Sequence, residues 1–138
     1  MIRNVGAAVF GLLVGMTANR VLIEANMAAF PPPPEVDPSD FEQLAVFIGT
    51  LPPQAFVLPI VAHMAQAFFG GWIAARLAGS RPMLLALIVG GLSLVAGLIN
   101  LAMIPHPVWM WIEVPGYVAV AWAAGTLEVR RRERLSAS

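Results

Sequence analysis

The sequence predicts an all-α integral membrane protein, a four-helix bundle with a short amphipathic helix in its first external loop. Three observations carry that expectation. First, 59 % of the 138 residues are hydrophobic and only 12 % are charged, against roughly 25 % charged in soluble domains; the mean hydropathy is +0.77. Second, four apolar segments near residues 4–29, 53–78, 82–104 and 107–128 are each long enough for a membrane span, which takes about 20 residues at ~1.5 Å rise. Third, the arginines collect on one side of these segments and the acids of the longest loop on the other.

Residues 1–138 read as a single four-span domain. The net charge is zero, so no basic patch argues for nucleic acid. With no cysteine in the chain, disulfides, thiolate metal sites and thiol redox chemistry are excluded. The start, "MIRNVGAAVFGLLVGMTANRVLIEAN", has the outline of a signal peptide. Its length and the lack of a clear cleavage signature favour an uncleaved first span. Arg3, Arg76, Arg81, Arg130, Arg131, Arg132 and Arg134 share one side of four alternating helices. The positive-inside rule places that side, and both termini, in the cytoplasm.

The loop at 30–52 lies on the outer side, with Glu35, Asp37, Asp40 and Glu42 and no positive charge. Pro31 to Pro34 favour a stiff polyproline II strut. Asp40 and Gln43 form a capping pair for a short helix in "FEQLAVFIGT". Leu44, Phe47 and Ile48 share one face of that helix. It is either an interfacial anchor or a lid over a site.

Stripes of small residues mark the packing faces of the spans. Gly11 and Gly15 lie in the first, His63, Ala67, Gly70 and Ala74 in the second, and Ala86, Gly90, Ser93, Gly97 and Asn100 in the third. Glu113, Gly116, Val120 and Ala124 form the corresponding row in the fourth. Such stripes let helices approach closely, within one chain or between copies in a homo-oligomer. Pro59 and Pro115 interrupt the second and fourth spans, where a proline can kink a helix. Trp109 and Trp111 sit at headgroup level. The tail at 129–138, "VRRRERLSAS", is a basic cytoplasmic extension suited to anionic headgroups.

Polar residues gather in the outer half. Counted inward along the helices, Asn100 lies ~6 Å deep, Glu24 ~8 Å, Glu113 ~9 Å, Arg20 ~14 Å and His63 ~15 Å. Ionisable groups at such depth must face one another or a wet cavity. Arg20 is the expected partner of Glu113. Arg20, Glu24, His63, Asn100 and Glu113 therefore form a candidate ligand-binding set for a small molecule or ion. Two local alternatives stay open: Arg20 can pair with Glu24 one turn away, and His63 can bond Asn100 or a carbonyl.

His63, Glu113, Glu24 and His106 are suitable transition-metal ligand types, but no histidine pair or HExxH supports a named metal. The cofactor is unspecified and no catalytic residue is assigned. A proton path across the membrane lacks titratable groups in the inner half. Three functional classes remain. A ligand pocket in the outer half leads, a structural or assembly subunit of a membrane complex is second, and an intramembrane enzyme is third.

"GG" at 90–91, Asn100, "IPHPVW" at 104–109 and "AWAAG" at 121–125 make the second half of the chain resemble small four-span bacterial integral membrane proteins of uncharacterised function. The resemblance implies a bacterial inner membrane and supplies no activity. The four-span eicosanoid and glutathione enzymes are of similar size, but their arginine-rich polar pattern is matched only at Arg20 and Asn26.

Overall fold

In a computed structural model that describes residues 2–37 and 39–137, the chain is helical almost throughout, with no β-strand among those residues. Five α-helices follow one another: α1 (Ile2–Ala29), α2 (Phe41–Gly49), α3 (Val57–Leu77), α4 (Pro82–Met103) and α5 (Glu113–Ser136). Single turns of 3-10 helix at Pro53–Phe56 and Val108–Ile112 lead directly into α3 and α5. Three helical stretches, Ile2–Ala29, Pro53–Leu77 and Pro82–Met103, are long and apolar enough to cross a membrane.

Proline sets most of the boundaries. α1 stops at Ala29 because Phe30 precedes Pro31, and a residue before proline is driven out of the α region. α4 ends the same way, with Ile104 extended ahead of Pro105. Pro59 and Pro115 do not interrupt their helices. Each is the third residue of its α-helix, where a missing N–H removes little because first-turn donors lack intrahelical partners. The preceding 3-10 turns absorb what remains of the constraint.

The α3–α4 turn is built less comfortably. Arg81 adopts a left-handed backbone, φ 52° and ψ 56°, a conformation that costs a non-glycine residue about 1–3 kcal/mol. Asn4 offsets this from α1. Its amide oxygen accepts the Gly79 N–H at 2.9 Å and its amide nitrogen donates to the Ser80 hydroxyl at 3.1 Å. Pro82 then opens α4 with its φ already suited to a helix.

α3 is the central element. It packs along α1, α4 and α5, whereas α1 meets α4 only slightly and has no extensive contact with α5. The four long helices therefore stand as an open group with α1 on one flank. Glycine makes the α1–α3 seam possible. A Cβ on Gly11 would come within 2.5 Å of the Gly70 carbonyl oxygen, and one on Gly15 within 2.5 Å of the Gln66 carbonyl oxygen. On the other flank, Gly90 lies against Ala121 and Gly97 against the ring of Tyr117. The buried row of α5 is Glu113, Tyr117, Ala121, Ala124 and Glu128. Gly116 and Val120, expected on that row, lie beside it, because helical twist carries the face through spacings of four from Glu113.

The two ends of the molecule differ chemically. At the basic end, arginines from other helices cap the last carbonyls of α3. Arg3 Nε donates to the Leu77 carbonyl at 3.0 Å, and one Arg132 nitrogen donates to the Ala75 and Ala78 carbonyls at 2.8 and 2.9 Å. Glu128, with no exposed surface, organises the second group. It accepts from Arg131 at 2.6 and 2.7 Å and from Arg132 at 2.8 Å, with Arg76 3.6 Å away. A helix C-terminus left bare would strand its carbonyls, and these guanidinium groups satisfy them.

At the acidic end, Phe30, Ile48 and Leu51 pack on a small core of Ala55, Phe56, Leu101 and Met110. Asp40 caps α2, accepting from the N–H groups of Glu42 and Gln43 at 3.0 and 3.2 Å, while the Gln43 amide donates to its second oxygen at 2.9 Å. Nearby, the Ser39 hydroxyl and N–H both donate to Asp37 and hold its carboxyl below the usual range.

Candidate functional site

A cavity of about 430 Å³ opens in the half of the molecule nearest the acidic end. Every helix contributes to its wall. α1 supplies Asn19, Ile23 and Asn26, α3 supplies His63 and Gln66, and α4 supplies Ser93, Gly97 and Asn100. Met110 precedes α5 and Tyr117 lies on it. Leu44, Phe47 and Ile48, the apolar face of α2, lie over the cavity with Pro105 and His106 beside them. The cavity exists because glycine closes the helices together on the basic side of it, at Gly15 and Gly90, while larger side chains hold them apart beyond.

Its deepest polar feature is a histidine–carboxylate pair. His63 Nδ1–H donates to Glu113 Oε2 at 2.9 Å, with side chains 9 % and 0 % exposed. With Nδ1 bonded to the carboxylate, Nε2 is the ring nitrogen left for another partner. No described residue donates to Nε2, and His63 lines the cavity whereas Glu113 lies behind it. The carboxylate orients an imidazole that borders the space, as carboxylates orient working histidines elsewhere.

Tyr117 completes the group. Its ring stacks on His63 with centroids 6.1 Å apart and planes inclined by 24°, and it is 1 % exposed. Its hydroxyl lies over Gly97, where a Cβ would collide with it. Glu113 Oε1 is buried without a hydrogen-bond partner among the described residues, an arrangement costing about 1–3 kcal/mol for a buried polar atom. The pair is thus held in place by packing as much as by its own bond.

The remaining polar wall is neutral and largely unspent. Gln66 donates to Ser93 only at 3.5 Å, at the weak limit for a hydrogen bond. Asn19, Asn26 and Asn100 make no side-chain hydrogen bond among the described residues. His106 Nδ1–H donates to the Ile104 carbonyl at 2.9 Å, and its ring lies 5.9 Å from that of Trp111. Its Nε2 is left as an acceptor. Among the described residues no nucleophile is assembled with its own base: the Ser93 hydroxyl has only the Gln66 amide as a side-chain partner.

The five residues expected to act together are divided by the structure. His63 and Asn100 line the cavity and Glu113 supports His63. Arg20 is not the partner of Glu113. It pairs with Glu24 at 2.7 Å on the outward face of α1, with side chains 80 % and 59 % exposed. The reason is angular: Arg20 and Glu24 are one helical turn apart, turned about 100° from Asn19 and Ile23 and opposite the Gly11–Gly15 face that meets α3. No group of three or more histidines and acids suited to holding a metal occurs among the described residues.

Sequence reasoning passed over Tyr117 and Glu128. Tyr117 is the only tyrosine and stands four residues after Glu113, so a row drawn at strict spacings of four would have included it. Glu128 with Arg131 and Arg132 follows the familiar i, i+3 and i, i+4 pattern. Comparison with protein-family models, with curated proteins and with solved structures finds no match for this chain.

Proposed function

We propose that this chain is a four-span protein of the bacterial inner membrane that binds a small, mainly apolar molecule with a neutral hydrogen-bonding head, seated in the cavity against His63. The observation that carries the reading is the setting of His63. A carboxylate with no exposed surface holds one ring nitrogen of a histidine that lines a cavity of about 430 Å³, within the ~300–1,000 Å³ of typical small-molecule sites. The unspent amides of Asn19, Asn26 and Asn100 offer donors and acceptors without net charge. An ion is a poorer occupant than a neutral head, because the exposed charges, Arg20 and Glu24, point away.

Four spans follow from counting α5 with the three helices already long and apolar enough. From Val108 to Leu127 the only charged residue is Glu113, and it is buried against His63. Arginines gathered at one end favour that end, and both termini, on the cytoplasmic side. The α2 helix then belongs to the external loop and serves as a lid, with Leu44, Phe47 and Ile48 toward the occupant. A specific observation also favours the assembly-subunit reading, since the His63–Glu113 bond ties α3 to α5 whether or not anything binds.

Thermal unfolding of the detergent-purified protein against a panel of quinols, phenols, short-chain lipids and inorganic ions separates these readings. A compound that binds only the folded state raises the midpoint with concentration. A rise for neutral-headed amphiphiles that is lost in His63→Ala supports the pocket. A flat response across the panel, with His63→Ala merely less stable, favours the structural lock.

A further inference from the structure

The polar groups on the cavity wall fall at two levels with an apolar belt between them. On α1 the lining residues Asn19, Ile23 and Asn26 run amide, aliphatic, amide. On α4 Ser93, Gly97 and Asn100 run hydroxyl, bare backbone, amide. In each helix the two polar residues are seven apart, which is two turns and ~10.5 Å of helical rise. Both helices run antiparallel to α3, as Gly11 against Gly70, Gly15 against Gln66 and Gly71 against Ala86 show. The two pairs are therefore in step.

The deep level is drawn from all four long helices. His63 stacks on Tyr117, Gln66 reaches Ser93, and Asn19 stands one turn beyond the Gly15 contact with Gln66. Ser93 and Tyr117 are each 1 % exposed, and the Tyr117 hydroxyl makes no hydrogen bond among the described residues. A polar group so buried calls for a partner, and the space that Tyr117 borders is the cavity. The shallow level has Asn26 and Asn100, with His106 beside them. Both amides are half-buried and neither bonds the chain. Between the levels, Ile23, Pro59, Ala96 and Gly97 present carbon.

We propose that the cavity selects an elongated molecule with a neutral polar group at each end, about 10 Å apart, and an apolar middle. One end bonds Tyr117 and Ser93 at the deep level, and the other bonds Asn26 and Asn100 near α2. The inference rests on the reading of the cavity as a binding site and adds the second polar end and the distance. An occupant with a single polar head would fill the deep level and leave both outer amides facing its hydrocarbon, where an unpaired amide is costly. With C–C bonds of ~1.5 Å, an extended zigzag of about eight carbons covers the interval.

The probes are straight-chain α,ω-diols and the matching 1-alkanols, titrated against the thermal midpoint of the detergent-purified full chain. For the diols, the concentration giving half the full midpoint rise should be lowest near eight carbons. It should be about fivefold or more higher for the diol of twelve, the worth of one neutral hydrogen bond. Asn26→Leu with Asn100→Leu replaces two amides that bond nothing else in the chain. That variant should lose the eight-carbon preference among diols while answering 1-octanol as the wild type does, which also shows that its pocket is intact. Diols that follow the same length trend as 1-alkanols, or a preference that survives loss of both amides, overturn the proposal and leave the pocket standing. A midpoint that neither series raises overturns the pocket and the proposal together.

Discussion

His63 and Glu113, fifty residues apart in the chain, meet at 2.9 Å in the interior and join α3 to α5. Truncating the carboxylate strands the Nδ1–H in an apolar setting, so Glu113→Ala should lower unfolding free energy by about 1–3 kcal/mol. Glu113→Gln keeps an oxygen for that N–H and should lose less. Denaturation of the two variants in the same detergent gives the comparison, and equal losses would mean that the bond itself contributes little.

The α1–α3 seam makes a sharper demand on volume. In Gly15→Ala the new Cβ would lie 2.5 Å from the Gln66 carbonyl oxygen, and backbone cannot rotate away as a side chain can. A loss of about 1–3 kcal/mol is expected from such overpacking. Gly91→Ala, with nothing within 4 Å, should be neutral or gain up to about 1 kcal/mol from helix propensity. A midpoint that moves alike for both would show that the glycines are not needed for close approach.

At the basic end, Arg132 joins two tasks, bonding Glu128 and capping the Ala75 and Ala78 carbonyls. Arg132→Lys keeps the charge but cannot reproduce the planar fork. It should destabilise nearly as much as Arg132→Ala, by about 1–2 kcal/mol after allowing for the partial exposure of the guanidinium. Arg130→Ala, whose side chain makes no hydrogen bond or ion pair among the described residues, is the control. Full retention of stability in Arg132→Lys would assign the effect to charge alone.

The α2 helix, proposed as a lid, starts at one cap. Asp40→Ala removes the acceptor for the Glu42 and Gln43 N–H groups, a change that costs a helix about 1 kcal/mol. Amide hydrogen exchange over residues 41–49 should accelerate while that over α3 and α4 stays as it was. Uniform exchange rates across the whole chain would mean that α2 does not open separately.

Much of the scaffold was legible because it rests on local chemistry. Apolar runs and prolines mark α1 and α4 to within two residues, and α3 to within one once its leading 3-10 turn is counted with it, and the Asp40 cap was visible in the spacing to Gln43. The face formed by Leu44, Phe47 and Ile48 was likewise plain from helical period, though only the structure sets it over a cavity. What sequence could not give was the partner of Glu113. Depth counting put Arg20 and His63 at nearly the same level, and depth says nothing about angle around the helix. Arg20 lies on the far side of α1, so His63 takes the place assigned to it. The cavity itself is a property of where glycine permits contact and where Tyr117, Phe56 and Met110 prevent it, which no single segment encodes.

Between the level of His63 and Tyr117 and the basic end there is no titratable side chain on any of the four long helices until Arg3, Arg76 and Glu128, and glycine and alanine seal the helices there. In a chain spanning the membrane as proposed, that dry segment behaves electrically as hydrocarbon and the wetter half as an extension of the outside solution. Almost all of the transmembrane voltage, ~2.3 kcal/mol per unit charge per 100 mV, then falls below the cavity. The neutral occupant proposed at His63 carries no charge for that field to act on, and even a charged one would feel mainly the outside potential, so its affinity should be indifferent to whether the cell is energised.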